Sequence, residues 1–329
     1  MSAFSSVLSY LRIPFLASSS LAAIGSSLLY FRQNSIIYPS TILNSRTDVP
    51  EPSQFKIQDA SSIYLPTPDG ETLHAYYLRP PNAQLQKNIT MLMFHGNAGN
   101  IGHRLPIAKV LSETIGCNVL MLEYRGYGLS TGSPDENGIN IDAQTALDHV
   151  RNHGEMSKTK IIIYGQSLGG AVSIRLLAKN FEKTANDGAS EEKNQQRIAG
   201  VILENTFLSI RKLIPAVLPP ARYISLLCHQ KWPSDETLQA LPADAPPILF
   251  LSGLKDEIVP PVMMRTLYDI CKVKRKTWKA FENGDHNSTV AEPGYFDAIW
   301  DFLVKEVLKQ EDSQKGTGET DVEKDELWA

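Results

Sequence analysis

The chain is poor in cysteine. Its 329 residues hold three, Cys117, Cys228 and Cys271. None forms a C-x-x-C pair and the count is odd, which argues against a disulfide framework and against a cysteine-bound zinc. Each has apolar neighbours and reads as a packed thiol. An excess of basic charge is also missing: 32 Lys and Arg face 36 Asp and Glu, for a net charge of −4. That balance gives no electrostatic case for a nucleic-acid partner. Gly126 and Gly128 lack the G-x-G-x-x-G spacing and the following helix that a dinucleotide site needs. No side-chain cluster stands at metal-ligand spacing, so neither a metal nor another cofactor is expected. What remains is an ordinary globular composition, 42% hydrophobic and 21% charged. The length suits one α/β domain of roughly 250 residues plus extensions.

The stretch Lys160 to Ala178 reads KIIIYGQSLGGAVSIRLLA. Ile161, Ile162 and Ile163 suit a strand buried on both faces. Ala171, Ile174, Leu177 and Ala178 then recur at helical spacing. Between them stands Gly165-Gln166-Ser167-Leu168-Gly169, a G-x-S-x-G at a strand–helix turn, the context of a nucleophile elbow. Side chains two positions either side of the serine would clash with the neighbouring strand and helix. The turn lifts the Ser167 hydroxyl above the sheet edge, and the helix N-terminus behind it favours negative charge. The plainer alternative is a serine in a glycine-rich turn.

Ahead of this lies one uncharged apolar run, Ile13 to Phe31, between Arg12 and Arg32. As a helix it would span roughly 28 Å, about one bilayer core. A cleaved signal peptide would want a more basic start and a small-x-small site, and a mitochondrial presequence more arginine. A single-pass signal anchor is therefore expected over 13–31, after a short tail over 1–12. Residues 32–53 carry Pro39, Pro50 and Pro52 and read as a linker. An α/β domain is expected over 54–310. Its predicted strands are Phe55–Leu65, Thr72–Leu78, Thr90–Phe94, Asn118–Tyr124, the elbow strand, Ile198–Leu203, Pro247–Ser252 and Lys276–Phe281. Ser133, Pro134 and Glu136 predict a capped helix start. Residues 208–241, with scattered prolines, read as short helices forming a cap over the sheet's carboxyl edge. Phe296, Ile299, Leu303 and Val307 mark a closing helix. The charged tail over 311–329 reads as disordered. Alternating strands and helices predict a mostly parallel, doubly wound sheet, whose site lies beyond the strand carboxyl ends.

Two further residues meet that rule. Asp256 follows the strand Pro247–Ser252 and is placed to orient a histidine. Its neighbour Glu257 is the rival, and a helix-capping role is the simpler alternative. His286, in Gly284-Asp285-His286-Asn287, follows the last strand. Imidazole titrates near neutrality, as a base that takes and returns the Ser167 proton must. Ser167, Asp256 and His286 stand in the chain order of the α/β-hydrolase triad. The oxyanion of a tetrahedral intermediate needs two N–H donors. Leu168, next after the nucleophile, supplies one. The loop His95 to Asn100 supplies the other, through the N–H of Asn97. His95 reads as a brace for that loop and not as a second base.

The segments HGNAGN at 95, EYRGYGLSTGSP at 123, YGQSLGGA at 164, ENTF at 204, GLKDEIVP at 253 and GDHN at 284 resemble the α/β-hydrolase superfamily over about Ile57 to Lys309. Together they resemble the fungal bud-emergence-type, Bem-like, membrane-anchored hydrolases. These are related to the α/β-hydrolase-domain protein depalmitoylases and, more distantly, to the S9 serine peptidases. The resemblance implies Ser167 as nucleophile, Asp256 as acid, His286 as base and the Asn97 and Leu168 N–H groups as oxyanion donors. It implies an acylated protein or lipid-like ester as substrate. The depalmitoylases anchor through an N-terminal cysteine cluster, whereas this chain has no cysteine before Cys117 and carries its apolar run instead. An S9-like peptidase and a non-catalytic membrane scaffold are the other readings. The expected location is an endomembrane, the endoplasmic reticulum foremost, with the catalytic domain in the cytosol. There a glycan on Asn287, beside His286, would not arise.

Overall fold

Runs of β-branched and long apolar residues become strands covered on both faces. A computed structural model describes residues 30–81, 86–186, 198–223 and 225–308, with residues 16, 20 and 24–27 before them. Eight strands are described: β1 (Ala60–Pro66), β2 (Thr72–Leu78), β3 (Ile89–Phe94), β4 (Asn118–Leu122), β5 (Lys160–Gln166), β6 (Ile198–Glu204), β7 (Ile248–Gly253) and β8 (Lys276–Phe281). They form one sheet in the order β1-β2-β4-β3-β5-β6-β7-β8. β1 and β2 make an antiparallel hairpin around Asp69-Gly70, and β2 meets β4 antiparallel. Every pairing from β4 across to β8 is parallel. Every residue of β3, β4 and β7 is buried, while edge strand β8 alternates.

The alternation of β5 shows how two cores arise from one strand. Ile161 and Ile163 face a layer that includes α3 (Glu136–Asn152) and α4 (Leu168–Asn186). Ile162 and Tyr164 face the other layer, with α2 (Leu105–Lys109) and α8 (Tyr295–Phe302). The register pairs Phe94 with Gly165, Gln166 with Glu204, and Glu204 with Leu251. The carboxyl ends of β3, β5, β6 and β7 therefore lie side by side, and the loops after them share one edge of the sheet. The predicted cap is a set of short helical pieces, α5 (Ile210–Val217), 3-10 turns at Pro219–Tyr223 and Ser225–Leu227, and α6 (Ser234–Ala240). α7 (Pro261–Ile270) completes the helical cover.

Several local expectations change. α3 starts at Glu136 with Asp135, not Ser133, as its cap, and Asp135 Oδ1 accepts the Gly138 N–H at 2.7 Å. Glu136 makes no capping box. Its carboxylate accepts the N–H groups of Lys231 and Trp232 and so holds the cap. Pro52–Phe55 is a 3-10 turn that ends at Lys56 with φ +59°, so β1 begins five residues later than Phe55. α2 runs on as a π turn over Val110–Thr114. Residues 32–53, read as a linker, pack on the domain. Residues 30–37 are helical, here α1. Tyr38 is buried, its hydroxyl donating to Gln230 Oε1 at 2.8 Å and accepting from Trp232 Nε1 at 2.8 Å. Asn100 Nδ2 donates to the carbonyls of Ser45 and Asp48. Proline-rich chain with few apolar residues gave no period from which this docking could be read. Among the described residues no helix is long and apolar enough to cross a membrane. Most of the predicted anchor over 13–31 lies outside the described residues, as does the tail over 311–329.

Candidate active site

The elbow is held by close backbone approach. Ser167 has φ +53°, in the left-handed region that side chains other than glycine rarely adopt. Its N–H donates to Glu204 O at 2.8 Å, and its carbonyl accepts from Thr206 Oγ1 at 2.7 Å. A Cβ on Gly165 would sit 2.1 Å from Gly169 O, and one on Gly169 would sit 2.0 Å from Phe94 O. Both glycines are thus required by space, one against the start of α4 and the other against the end of β3. The strain concentrates at the one residue whose hydroxyl must clear the sheet.

Asp256 and His286 meet directly. His286 Nδ1 lies 2.7 Å from Asp256 Oδ2, and both side chains are buried. The other carboxylate oxygen, Oδ1, accepts the N–H groups of Ile258 at 2.9 Å and Val259 at 2.7 Å. The capping and the histidine-orienting roles of Asp256 are therefore both filled, one by each oxygen. Glu257 is exposed. No hydrogen bond joins Ser167 Oγ to His286. Such contacts are often long or misaligned before a substrate closes the site.

The two N–H groups expected to hold an oxyanion, those of Asn97 and Leu168, find no partner among the described residues. The Asn97 side chain is occupied elsewhere. Its Nδ2 donates to Ile37 O at the end of α1, and its Oδ1 accepts from Tyr127 Oη at 2.8 Å. His95 is buried. Its Nδ1 lies 2.7 Å from Gly96 O and its Nε2 3.0 Å from Glu123 Oε1. Both ring nitrogens face oxygens of the protein, and the Nε2 contact is a close approach without hydrogen-bond geometry. Glu123 Oε2 in turn accepts the Ile101 N–H at 3.0 Å.

Two groups of side chains around the site had no assigned role from sequence. Asn205, φ +44° and buried, ties three strand ends together. Its Oδ1 accepts the Gly253 N–H at 2.8 Å, before the Asp256 loop. Its Nδ2 donates to Asp285 O at 3.2 Å and to Thr289 Oγ1 at 3.0 Å, on either side of His286. Glu204 is fully buried and accepts hydroxyls from Tyr164 and, at 2.7 Å, from Tyr295. Burial pushes its carboxyl above the usual carboxylate range, and the two donated hydroxyls oppose that shift. Gln166 Nε2 lies between Glu204 Oε1 and His286 O, 3.3 Å from each. Their sequence signal was a place at a strand's carboxyl end, with Gln166 and Glu204 closing β5 and β6 and Asn205 following β6.

A model of the α/β hydrolase fold matches residues 89–223. Protein bem46 of Schizosaccharomyces pombe is 42% identical over 303 residues, which cover 92% of this chain and 95% of that protein. The chain belongs to the Bem46-like family of α/β-hydrolase proteins. A second relative, from Saccharomyces cerevisiae, is named an uncharacterized membrane protein. It is 39% identical over 87% of this chain and 93% of its own length. Among solved structures, an esterase of Pyrococcus furiosus superposes with a TM-score of 0.58 and 16% identity, over 79% of this chain and 93% of that one. That likeness carries the fold alone.

Proposed function

We propose that this protein is a membrane-anchored serine hydrolase that cleaves an acyl ester or thioester through an acyl-enzyme. The observation that carries the reading is the 2.7 Å contact between His286 Nδ1 and Asp256 Oδ2, made by a carboxylate whose second oxygen is fixed by two backbone N–H groups. Asp256 holds the imidazole with its proton on Nδ1, which leaves Nε2 as the base. Nε2 takes the Ser167 hydroxyl proton as Oγ bonds to the substrate carbonyl carbon. The carbonyl oxygen becomes an oxyanion and accepts from the N–H groups of Asn97 and Leu168. Collapse breaks the bond to the alcohol or thiol, which leaves with the proton from His286. Water, deprotonated by the same nitrogen, then attacks the acyl-serine and releases the carboxylic acid.

The substrate class is an acylated protein or lipid-like ester, with palmitoyl-protein the form the family resemblance favours. The uncharged run Ile13 to Phe31 and a relative named as a membrane protein support anchoring. We place the catalytic domain on the cytosolic face of the endoplasmic reticulum or a related membrane. Asn88 and Asn287, each first in an N-x-T or N-x-S/T pattern, are both exposed, and Asn287 adjoins His286. A glycan there would crowd the entrance.

Fluorophosphonate labelling tests the chemistry. The wild-type chain should label, and Ser167→Ala should not, with aryl-ester turnover lower by several orders of magnitude, ~10⁴-fold or more. Unchanged turnover would refute the assignment. Profiling acyl-protein against peptide substrates separates the thioesterase from a peptidase. Alkaline carbonate should leave the full-length chain in the membrane pellet. An endoglycosidase-sensitive mobility shift lost in Asn88→Gln would place the domain in the lumen instead.

A further inference from the structure

The cap and the segment leading into the domain share a charge pattern. Residues 205–232 contain Arg211, Lys212, Arg222 and Lys231 and no acid, and residues 1–47 contain Arg12, Arg32 and Arg46 and no acid. The whole chain has a net charge of −4, so this surplus is local. The two stretches also meet. Gln33 of α1 is buried, and its Oε1 accepts the His229 N–H at 2.8 Å. Its Nε2 donates to Leu227 O at 3.4 Å, and the Tyr30 ring packs edge-on against His229 at 5.2 Å. The point where the chain enters the domain is therefore fixed beside the cap turn Ser225–Leu227.

The surface around this junction is apolar and open. Leu226 is 77% exposed, Tyr223 75% and Phe31 80%, with Val217 and Leu218 more than half exposed. These do not scatter singly as exposed apolar residues ordinarily do. Arg211 ties α5 to the turn, its Nε donating to Cys228 O at 2.8 Å and its Nη2 to Leu226 O at 3.3 Å. The Arg222 guanidinium lies 4.6 Å from the Tyr223 ring centre. Lys212 is paired with Asp235, but Arg32, Arg211 and Arg222 make no ion pair among the described residues. Apolar and aromatic side chains rimmed by unpaired arginines match a lipid interface, where the rings enter the acyl boundary and the cations meet phosphate.

We propose that this face, built from the end of α5, the turns Pro219–Tyr223 and Ser225–Leu227 and the outer side of α1, rests on the bilayer surface. The proposal builds on the membrane-anchored reading above. It is the uncharged run Ile13 to Phe31, ending on this same face, that commits the occupant to lipid. The geometry also links the face to the chemistry. α1 spans residues 30–37, about 10 Å at ~1.5 Å per residue. One end touches the cap turn, and the carbonyl at the other end accepts from Asn97. The same short helix thus joins the face to the loop that carries Asn97.

Site-specific quenching tests this on the full-length chain in phosphatidylcholine–phosphatidylserine liposomes. The native cysteines are all buried, so a nitrobenzoxadiazole label reports the introduced thiol. Leu226→Cys should be quenched strongly by a shallow nitroxide lipid. Asn152→Cys, exposed at the amino-terminal edge of the sheet, should not. In parallel, Tyr223→Glu with Leu226→Glu should lower turnover of a bilayer-dissolved long-chain ester on the order of tenfold and leave a soluble short aryl ester unchanged. Protein that floats with the liposomes while its Leu226 label stays unquenched overturns the proposal and leaves anchoring intact. If that label is shielded only as protein concentration rises, the face binds a second copy instead. Protein that does not float overturns both readings.

Discussion

Replacing Asn205 by alanine removes one buried side chain and opens three loop ends at once. The Gly253 N–H loses its acceptor at 2.8 Å, and the bonds to Thr289 Oγ1 at 3.0 Å and Asp285 O at 3.2 Å are lost, while those two groups stay bonded to each other. Three such bonds contribute about 1 kcal/mol each, and the Gly253 N–H left buried without an acceptor adds about 1 kcal/mol more. Alanine also holds φ +44° less readily than asparagine, a further cost of about 1 kcal/mol. The expected loss of stability is about 3–5 kcal/mol. Asn205→Gly shares the lost bonds but not the steric cost, so it should recover about 1 kcal/mol of that loss. Urea unfolding of both variants measures the difference. The Asp256 and His286 loops hang from the same amide, so kcat on an aryl ester should fall about 10–100-fold with KM little changed. A variant less than about 1 kcal/mol destabilised, with wild-type kcat, would refute the idea that Asn205 aligns the two loops.

Asp256→Asn should lose most activity, because it disturbs the imidazole tautomer, while Glu257→Gln, at an exposed position, should lose little; the reverse pattern would move the acid to Glu257. Gly169→Ala places a Cβ 2.0 Å from Phe94 O and should yield little folded protein, or fold with the elbow displaced and aryl-ester turnover lost. Circular dichroism and turnover separate those outcomes, and a stable active variant would contradict the contact. Hydrogen bonds from Arg125 hold the Asp69 carboxyl down at about 2. A carboxyl depressed in the fold stabilises above its unfolded pKa, and that gain is lost as pH falls through the folded value. The urea midpoint gap between wild type and Asp69→Asn should therefore be full at pH 7 and shrink steadily below about pH 4.

The sheet was legible because most of its parallel strands, β3, β4 and β7 above all, are apolar runs with glycine or proline nearby. Thr72–Leu78 and Lys276–Phe281 have the bounds read from sequence, and β3, β6 and β7 differ by a residue or so. The loops that carry Ser167, Asp256 and His286 were legible with them, since Ser167 follows β5 directly and the other two lie within five residues of the ends of β7 and β8. What stayed hidden depends on partners far along the chain. Glu136 looked like half of a capping box, but its carboxylate is taken by N–H groups of Lys231 and Trp232. Asn205 had no role assigned from sequence, because its partners lie at Gly253, Asp285 and Thr289. Local pattern shows where a strand ends; it carries no record of which distant loop ends beside it.

The docked stretch between α1 and β1 alters how the enzyme can search for substrate. A flexible chain over 32–53 would let the domain roam about 25 Å from its point of attachment, and substrate choice would follow local concentration. Here Tyr38 is locked between Gln230 and Trp232, Asn100 grips the carbonyls of Ser45 and Asp48, and Arg46 Nη2 donates to Ser130 O at 3.0 Å. The domain is mounted and not leashed. On the anchored reading its reach is one fixed height, so an acyl group is selected by how far its attachment point stands from the lipid before any contact with the site discriminates its chemistry.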